Sequence, residues 1–388
     1  MKKSRIFAAM AACATITSGV AHAQSSITLY GLIDVGVDYI SNQKGTSGSG
    51  GKSFGVQSGN LNPDRWGLRG SEDLGGGLSA IFTLENGFTI NNGKFAQGGD
   101  EFGRQAFVGL ASKQYGQVTL GRQYDEVLNF VGPLSAAGLG FGGELAAHPY
   151  DNDNLALDVR MNNSVMFRSA DYNGLKMGAG YAFSNSTSGF RENNAFTAGA
   201  GYDYKNLSLA VAFFQANHPG STTTGALSSS DTDAQLVGVR QRIYAAAAKY
   251  RFGAAEVGAV VTRTSLDGPS EIAHGGSYVS LAGNWITFYN YELNARYALT
   301  PALHIGAAYT YTQGHFVGTS SSVSPKWNQL MLQADYALST RTDVYLEGTY
   351  QRVTSSSVAA LSDAGIYTFG TSSSNRQAIV AIGLRTKF

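Results

Sequence analysis

The chain has 388 residues, 28 Lys+Arg against 27 Asp+Glu, and 43% hydrophobic residues. This length suits two or three ordinary domains or one large barrel, and the near-neutral balance gives no case for nucleic acid as a partner. A single cysteine, Cys13, excludes a disulfide framework, while 49 Gly, 21 Tyr and 20 Phe against 7 Pro suggest many strands, turns and aromatics.

Residues 1–23 read MKKSRIFAAMAACATITSGVAHA. Lys2, Lys3 and Arg5 precede an apolar run from Ile6 to Val20, and Ala21-His22-Ala23 is a small-x-small cleavage site. This predicts a cleaved signal peptide at 1–23 and a mature chain at 24–388. Cleavage removes three basic residues, leaving 25 Lys+Arg against 27 Asp+Glu, and removes Cys13. No later run of about 18 apolar residues predicts a membrane helix.

From Ile27 onward the chain alternates. Ile27, Leu29, Ile33, Val35, Val37 and Tyr39 share one face, and Thr28, Tyr30, Asp34 and Asp38 the other. A period of two means strand. The pattern recurs in sixteen segments, near 26–41, 63–72, 78–90, 104–113, 116–124, 163–172, 175–185, 194–205, 207–217, 238–252, 254–267, 286–299, 303–314, 327–338, 342–353 and 375–388. Seven connections are short and eight are long and rich in Ser, Gly and Asn. Short turns on one side and long loops on the other mark an outer-membrane barrel. The polar face carries carboxylates and arginines on strand after strand, so a dry core is excluded. It must line water, which turns the apolar face toward lipid. The fold class expected is all-β, a 16-stranded antiparallel transmembrane β-barrel. Tyr202, Tyr204, Tyr250, Phe252, Tyr297 and Phe388 fall near the short-turn ends, where an interfacial girdle would sit.

Alternation stops between Asp125 and Asn163. That stretch is rich in Gly, and a structureless segment of this length is usually functional or disordered. It is expected to fold into the lumen and narrow the pore. The acids Asp125, Glu126, Glu144, Asp151, Asp153 and Asp158 lie in it. Arg65, Arg69, Arg104, Arg160 and Arg168 lie on or beside the polar faces of strands. If the loop turns inward, carboxylates face an arginine wall and set a transverse field. The alternative is that the arginines line a wide wet lumen while the loop caps the outside.

Other motifs carry little. His148, His218, His274, His304 and His315 show no metal-ligand spacing, and no catalytic residue, cofactor or metal is expected. Gly45–Ser53 looks like a phosphate loop but has Thr46 where Gly is required, so it reads as a flexible surface loop. Asp151–Asn154 lacks the Gly and downstream Glu of a calcium loop and reads as a solvated acidic turn.

ITLYGLIDVG, RWGLRGSEDLGGGLSA, GRQAFVGL, TLGRQYDEV and a final GLRTKF together resemble the Gram-negative general porins, closest to their β-proteobacterial branch. The resemblance spans the mature chain. It implies a homotrimer in the outer membrane that passes ions and small hydrophilic solutes by passive diffusion, with the third loop bent inside. It implies basic constriction positions at Arg65, Arg104 and Arg160, to which the reading of the polar strand faces adds Arg69 and Arg168. Asp125, Glu126 and Glu144 would form the acidic side, Gly140 standing where the family's turn carries its Glu. Phe388 matches the terminal aromatic that resembles an assembly signal. Alternatives are a substrate-selective channel, a barrel serving mainly as a surface adhesin or antigen, and an outer-membrane hydrolase.

Overall fold

The computed structural model describes residues 25–45, 48–187, 189–231, 233–275, 277–319, 321–354 and 356–388. The expected signal peptide at 1–23 lies outside these residues. Sixteen strands form the wall: β1 (Ser26–Lys44), β2 (Arg65–Gly75), β3 (Leu78–Gly87), β4 (Gln105–Ser112), β5 (Gly116–Tyr124), β6 (Arg160–Ser169), β7 (Leu175–Ala182), β8 (Asn194–Tyr204), β9 (Leu207–Asn217), β10 (Arg240–Phe252), β11 (Ala255–Asp267), β12 (Gly283–Ala298), β13 (Leu303–Gly318), β14 (Lys326–Ala337), β15 (Thr342–Val353) and β16 (Arg376–Lys387). Each pairs antiparallel with the next. β16 returns to β1, from Leu32↔Lys387 to Ile40↔Ile379. Closure leaves no unpaired backbone edge to meet hydrocarbon.

The alternating sequence orients each strand. In β14, Leu330 and Leu332 are 45% and 55% exposed on the outer face, while Gln329 and Gln333 are 2% and 5% exposed on the inner one. A one-residue slip would turn the glutamines into lipid. Tyr202, Tyr204, Tyr250, Phe252, Tyr297 and Phe388 are all exposed, and Tyr202 stacks on Tyr204 with centroids 6.3 Å apart. Gly31 and Phe388 exchange both backbone hydrogen bonds at 3.1 Å. A Cβ on Gly31 would strike the Phe388 ring, so glycine there lets the terminal aromatic lie across the seam.

One segment corrects the expectation for Gly45–Ser53. Gly50–Ser58 is a strand, pairing with the far half of β1 from Ile40↔Ser53 to Val35↔Ser58. Phe54 and Val56 supply its outer row, and the Phe54 ring sits 5.0 Å from that of Tyr39. Frequent glycine hid this short alternation. The chain then bends at Gly59–Asp64 before β2 takes over the near half of β1.

The long loops also fold onto one another. Leu236–Val237, Glu271–His274 and Ser277–Ser280 form a three-stranded sheet, joining loop 218–239 to loop 268–282. Loop 218–239 is pinned to the wall by Arg122, whose Nη1 and Nη2 donate to the two Asp233 carboxylate oxygens at 2.6 and 2.8 Å. Asp233 is fully buried. Arg122→Ala leaves that charge unpaired, which costs about 3–5 kcal/mol. Limited proteolysis is expected to cut loop 218–239 in the variant under conditions where the native barrel resists.

Candidate pore and its inner loop

The segment after β5 crosses the barrel rather than capping it. Its polar atoms meet the inner, polar rows of seven strands. Glu126 N donates to Thr197 Oγ1 of β8 at 2.9 Å. Lys249 Nζ of β10 donates to the Pro133 carbonyl at 2.7 Å, and Asn294 of β12 to that of Leu134 at 3.1 Å. Gln333 and Gln329 of β14 donate to the carbonyls of Phe141 and Ala147 at 2.6 and 2.8 Å. Thr349 of β15 reaches that of Leu145 at 3.0 Å. Arg168 of β6 and Thr262 of β11 meet Glu126 and Asp153 carboxylates at 3.0 and 2.5 Å. The loop has little regular structure, so its backbone needs these partners. Glycine lets its tip come close: at Gly143 φ is 51°, and a Cβ there would enter the Leu61 backbone.

A buried charge cluster holds the middle of the loop. His148 Nδ1 lies 2.7 Å from Asp153 Oδ2, and its Nε2 lies 2.9 Å from Glu292 Oε2. All three side chains are fully enclosed or nearly so. Burial pushes the imidazole down, but the Asp153 and Glu292 carboxylates outweigh it and raise it to about 10. Its folded value therefore exceeds the ordinary value near 6.5. The stabilisation is present in full below about pH 6.5 and is lost as pH rises through about 10. The melting-temperature gap between the native chain and His148→Gln is expected to shrink over that window.

The Asp151–Asn154 turn is thus not solvated. All four residues are 0–1% exposed, and they are spent on the loop itself. Asp151 Oδ1 accepts from Ala156 N at 2.8 Å, and Asn154 Oδ1 from Val159 N at 2.7 Å. Among the described residues, no group of three or more His, Cys, Asp or Glu is placed to hold a metal ion.

The expected site residues separate into two groups. Arg65 and Arg69 face open space. Both border a cavity of about 550 Å³ that also includes Lys387 and Glu85, and the Arg69 guanidinium lies 4.2 Å over the Tyr30 ring. Arg104 and Arg160, 2% and 4% exposed, are packed around Tyr124, 5.9 and 5.3 Å from its ring centre. Arg104 Nε donates to Glu85 Oε1 at 2.8 Å. Arg168 pairs with Glu126 at the loop's root. The acids turn away from the water as well. Asp125 caps the loop by accepting from Val127 N at 2.6 Å, and burial pushes its carboxyl up to about 7. Glu144 is 6% exposed, and burial, with the Asp158 charge, pushes it well above the carboxylate range. Asp125 and Glu126 therefore anchor the loop, while Glu144 is enclosed with the Arg104 and Arg160 charges acting on it. The three do not oppose the arginines across open lumen as the sequence suggested. The polar rows of β8 to β15, expected to line water, are in large part covered by this loop.

The open passage lies along β1, β2, β10, β12 and β16. A cavity of about 470 Å³ is bounded by the loop tip, at Pro133 and Leu139–Phe141, and by Arg65, Lys249, Arg251, Arg296, Arg385 and Lys387, with Glu256 and Asp335 as its carboxylates. Arg251 pairs with Glu256 at 2.7 Å, and Arg385 with Asp343 at 3.1 Å. Together the two cavities carry seven cations and three carboxylates. Lys249, Arg251, Arg296, Arg385 and Lys387 are additional to the residues picked from sequence. Their signal was membership of an inward row near a short turn.

A closed barrel, apolar outside, with a charged solvent passage inside, defines an outer-membrane channel. The sequence comparisons make it more specific: the profile of the Gram-negative porins matches residues 8–356, and the chain belongs to that family. It is 29% identical to an outer membrane porin protein of Bordetella pertussis over the whole of both chains. It is equally 29% identical to outer membrane porin protein 32 of Delftia acidovorans, again over both entire chains. Among solved structures, the anion-selective porin from Comamonas acidovorans superposes with a TM-score of 0.68 at 22% identity, covering 94% of this chain and all of that one. Vibrio cholerae OmpT in its trimer form gives 0.64 at 14% identity, over 94% of this chain and 99% of that one. The chain is an outer-membrane protein of a Gram-negative bacterium, crossing the membrane with its strands.

Proposed function

We propose that this porin is a passive diffusion channel for ions and small hydrophilic solutes, that it favours anions, and that it works as a homotrimer. The single observation that carries the anion preference is the excess of cations around the passage the inner loop leaves open. Rows of charge at a constriction tune which ions enter. Arg65 and Arg69 act on the passage directly. Arg160 and Arg168, with Asp125 and Glu126, act through the loop they hold in place, and the enclosed Arg104 and Glu144 act on the passage only as distant charges. The selective name of the Comamonas porin and the trimer of the Vibrio protein agree with this reading.

Liposome swelling tests the reading. Vesicles containing the purified protein are expected to swell in small sugars at rates falling steeply with sugar size. No swelling with any small sugar would leave the adhesin reading. In detergent, light scattering is expected to give a mass near three chains, and a single-chain mass would contradict the trimer.

A further inference from the structure

At the loop side of the barrel, four loops meet around a cavity of about 200 Å³. The inner loop supplies Tyr150 and Asp158. Loop 218–239 supplies Gln235, loop 268–282 supplies His274 and Tyr278, and loop 354–375 supplies Tyr367. Three tyrosines are much aromatic surface for so small a space. The Tyr150 ring meets that of His274 edge-on at 4.9 Å, and is backed by Trp327 at 5.7 Å.

The polar groups of this cup divide into spent and unspent. Tyr150 OH donates to the Ala360 carbonyl at 2.9 Å, and Tyr278 OH to that of Ala234 at 2.7 Å. These bonds fix the rings. Arg160, next to Asp158, spends Nη1 on the Asp158 carbonyl at 2.9 Å. The Asp158 carboxylate has no hydrogen-bond donor or ion pair among the described residues, and neither ring nitrogen of His274 has a partner there. Burial pushes the His274 imidazole down to about 4, so it faces the cup uncharged. The charges acting on Tyr278 are the carboxylates of Asp233, Asp158 and Glu271.

The Asp158 carboxylate is half-buried rather than sealed, with the Arg160 charge acting on it, and its oxygens stay open to a hydrogen-bond donor brought by a ligand. Aromatic walls attract cations through the negative faces of their rings. A volume below the roughly 300 Å³ of the smallest drug-sized pockets admits one ring with a short arm. We infer that this cup is a binding site for a small aromatic or cyclic ammonium compound, its charge on Asp158 and its body among Tyr150, Tyr278 and Tyr367. The inference deepens the channel reading by placing a ligand subsite at the outer mouth, above a passage whose own charge disfavours cations.

Calorimetry on the full barrel in detergent tests it, with tyramine as probe and 4-ethylphenol and 4-hydroxyphenylacetate as neutral and anionic controls. Tyramine is expected to bind saturably, one per chain, at least about tenfold more tightly than either control, as a charge-assisted hydrogen bond implies. Asp158→Asn and Tyr278→Ala should each weaken tyramine about tenfold, and Tyr278→Phe should retain binding. Tyr278 lies on an outer loop, so its variants remain informative if Asp158→Asn disturbs the inner loop. Absence of saturable tyramine binding, equal binding of the three probes, or unchanged affinity in Tyr278→Ala would overturn the inference. Binding is read without any current. A barrel that binds tyramine but passes no ions sinks the channel reading alone, and a conducting barrel that ignores tyramine sinks only the cup.

Discussion

Replacing Arg385 by alanine should move the channel's preference from anions toward cations further than any other single truncation in the lumen. Arg385 borders the passage and restrains two carboxylates at once: its Nη2 lies 3.1 Å from Asp343 and 3.6 Å from Asp335. Its Nη1 also donates to Asn62 Oδ1 at 2.7 Å, in the bend that faces the loop tip. The substitution removes one positive charge and leaves Asp343 without its cation, while Asp335 keeps Arg296 at 3.5 Å. A unit charge about 4 Å from a passing ion contributes about 1 kcal/mol in water, with opposite sign for anion and cation, so the permeability of each changes by roughly fivefold and their ratio by up to roughly thirtyfold. Screening lengths fall from about 10 Å at 0.1 M salt to about 3 Å at 1 M, so the shift should be large in dilute salt and small in concentrated salt. Zero-current potentials across a potassium chloride gradient measure it. An unchanged potential in dilute salt would remove Arg385 from the ion path. Arg104→Ala and Arg160→Ala should move the potential less, because both guanidiniums are enclosed and act chiefly on Tyr124, Glu85 and the loop.

Replacing His148 by alanine should free the inner loop. The imidazole separates Asp153 from Glu292 in a fully buried site. Without it, two carboxylates stay enclosed with no cation between them. Breaking one member of such a cluster costs about 3–5 kcal/mol. Asn290 Nδ2 still reaches Asp153 at 3.0 Å, and the Ala136 amide still reaches Glu292 at 2.8 Å, but neither carries charge. The wall strands hold themselves through their own ladder, so the barrel should still assemble. The loss falls on the loop. Single-channel records of His148→Ala are expected to be noisy, with higher mean conductance, and protease should reach the loop from either mouth. Quiet channels of native conductance would show that the wall's hydrogen bonds to the loop carbonyls suffice.

Much of the fold was legible in the chain because period-two alternation is local. Leu330, Leu332 and Tyr336 against Gln329, Gln333 and Asp335 states which way β14 faces, and closure follows from an even number of such strands. The bends were harder. At β6 the pairing with β5 shifts register between Gly121 and Gln123, and Asn163 has φ of 53°. A bulge like this resets the alternation, so a place on or beside a polar face does not say that Arg160 is enclosed and Arg168 pairs with Glu126. The inner loop was visible as a break in pattern, and its inward course followed from the family likeness. Its partners were not visible. Which carboxylate meets water depends on contacts across more than a hundred residues, as between His148 and Glu292. Acids in a loop look alike in sequence whether they face a pore or anchor a turn.

The central claim is that the cations around the open passage set an ohmic, anion-favouring channel. Purified protein in a planar bilayer, bathed in unequal potassium chloride on its two sides, tests it most directly. Stepwise currents that rise linearly with salt and reverse on the chloride side are the predicted result. A bilayer with no steps, or steps that reverse on the potassium side, would contradict it.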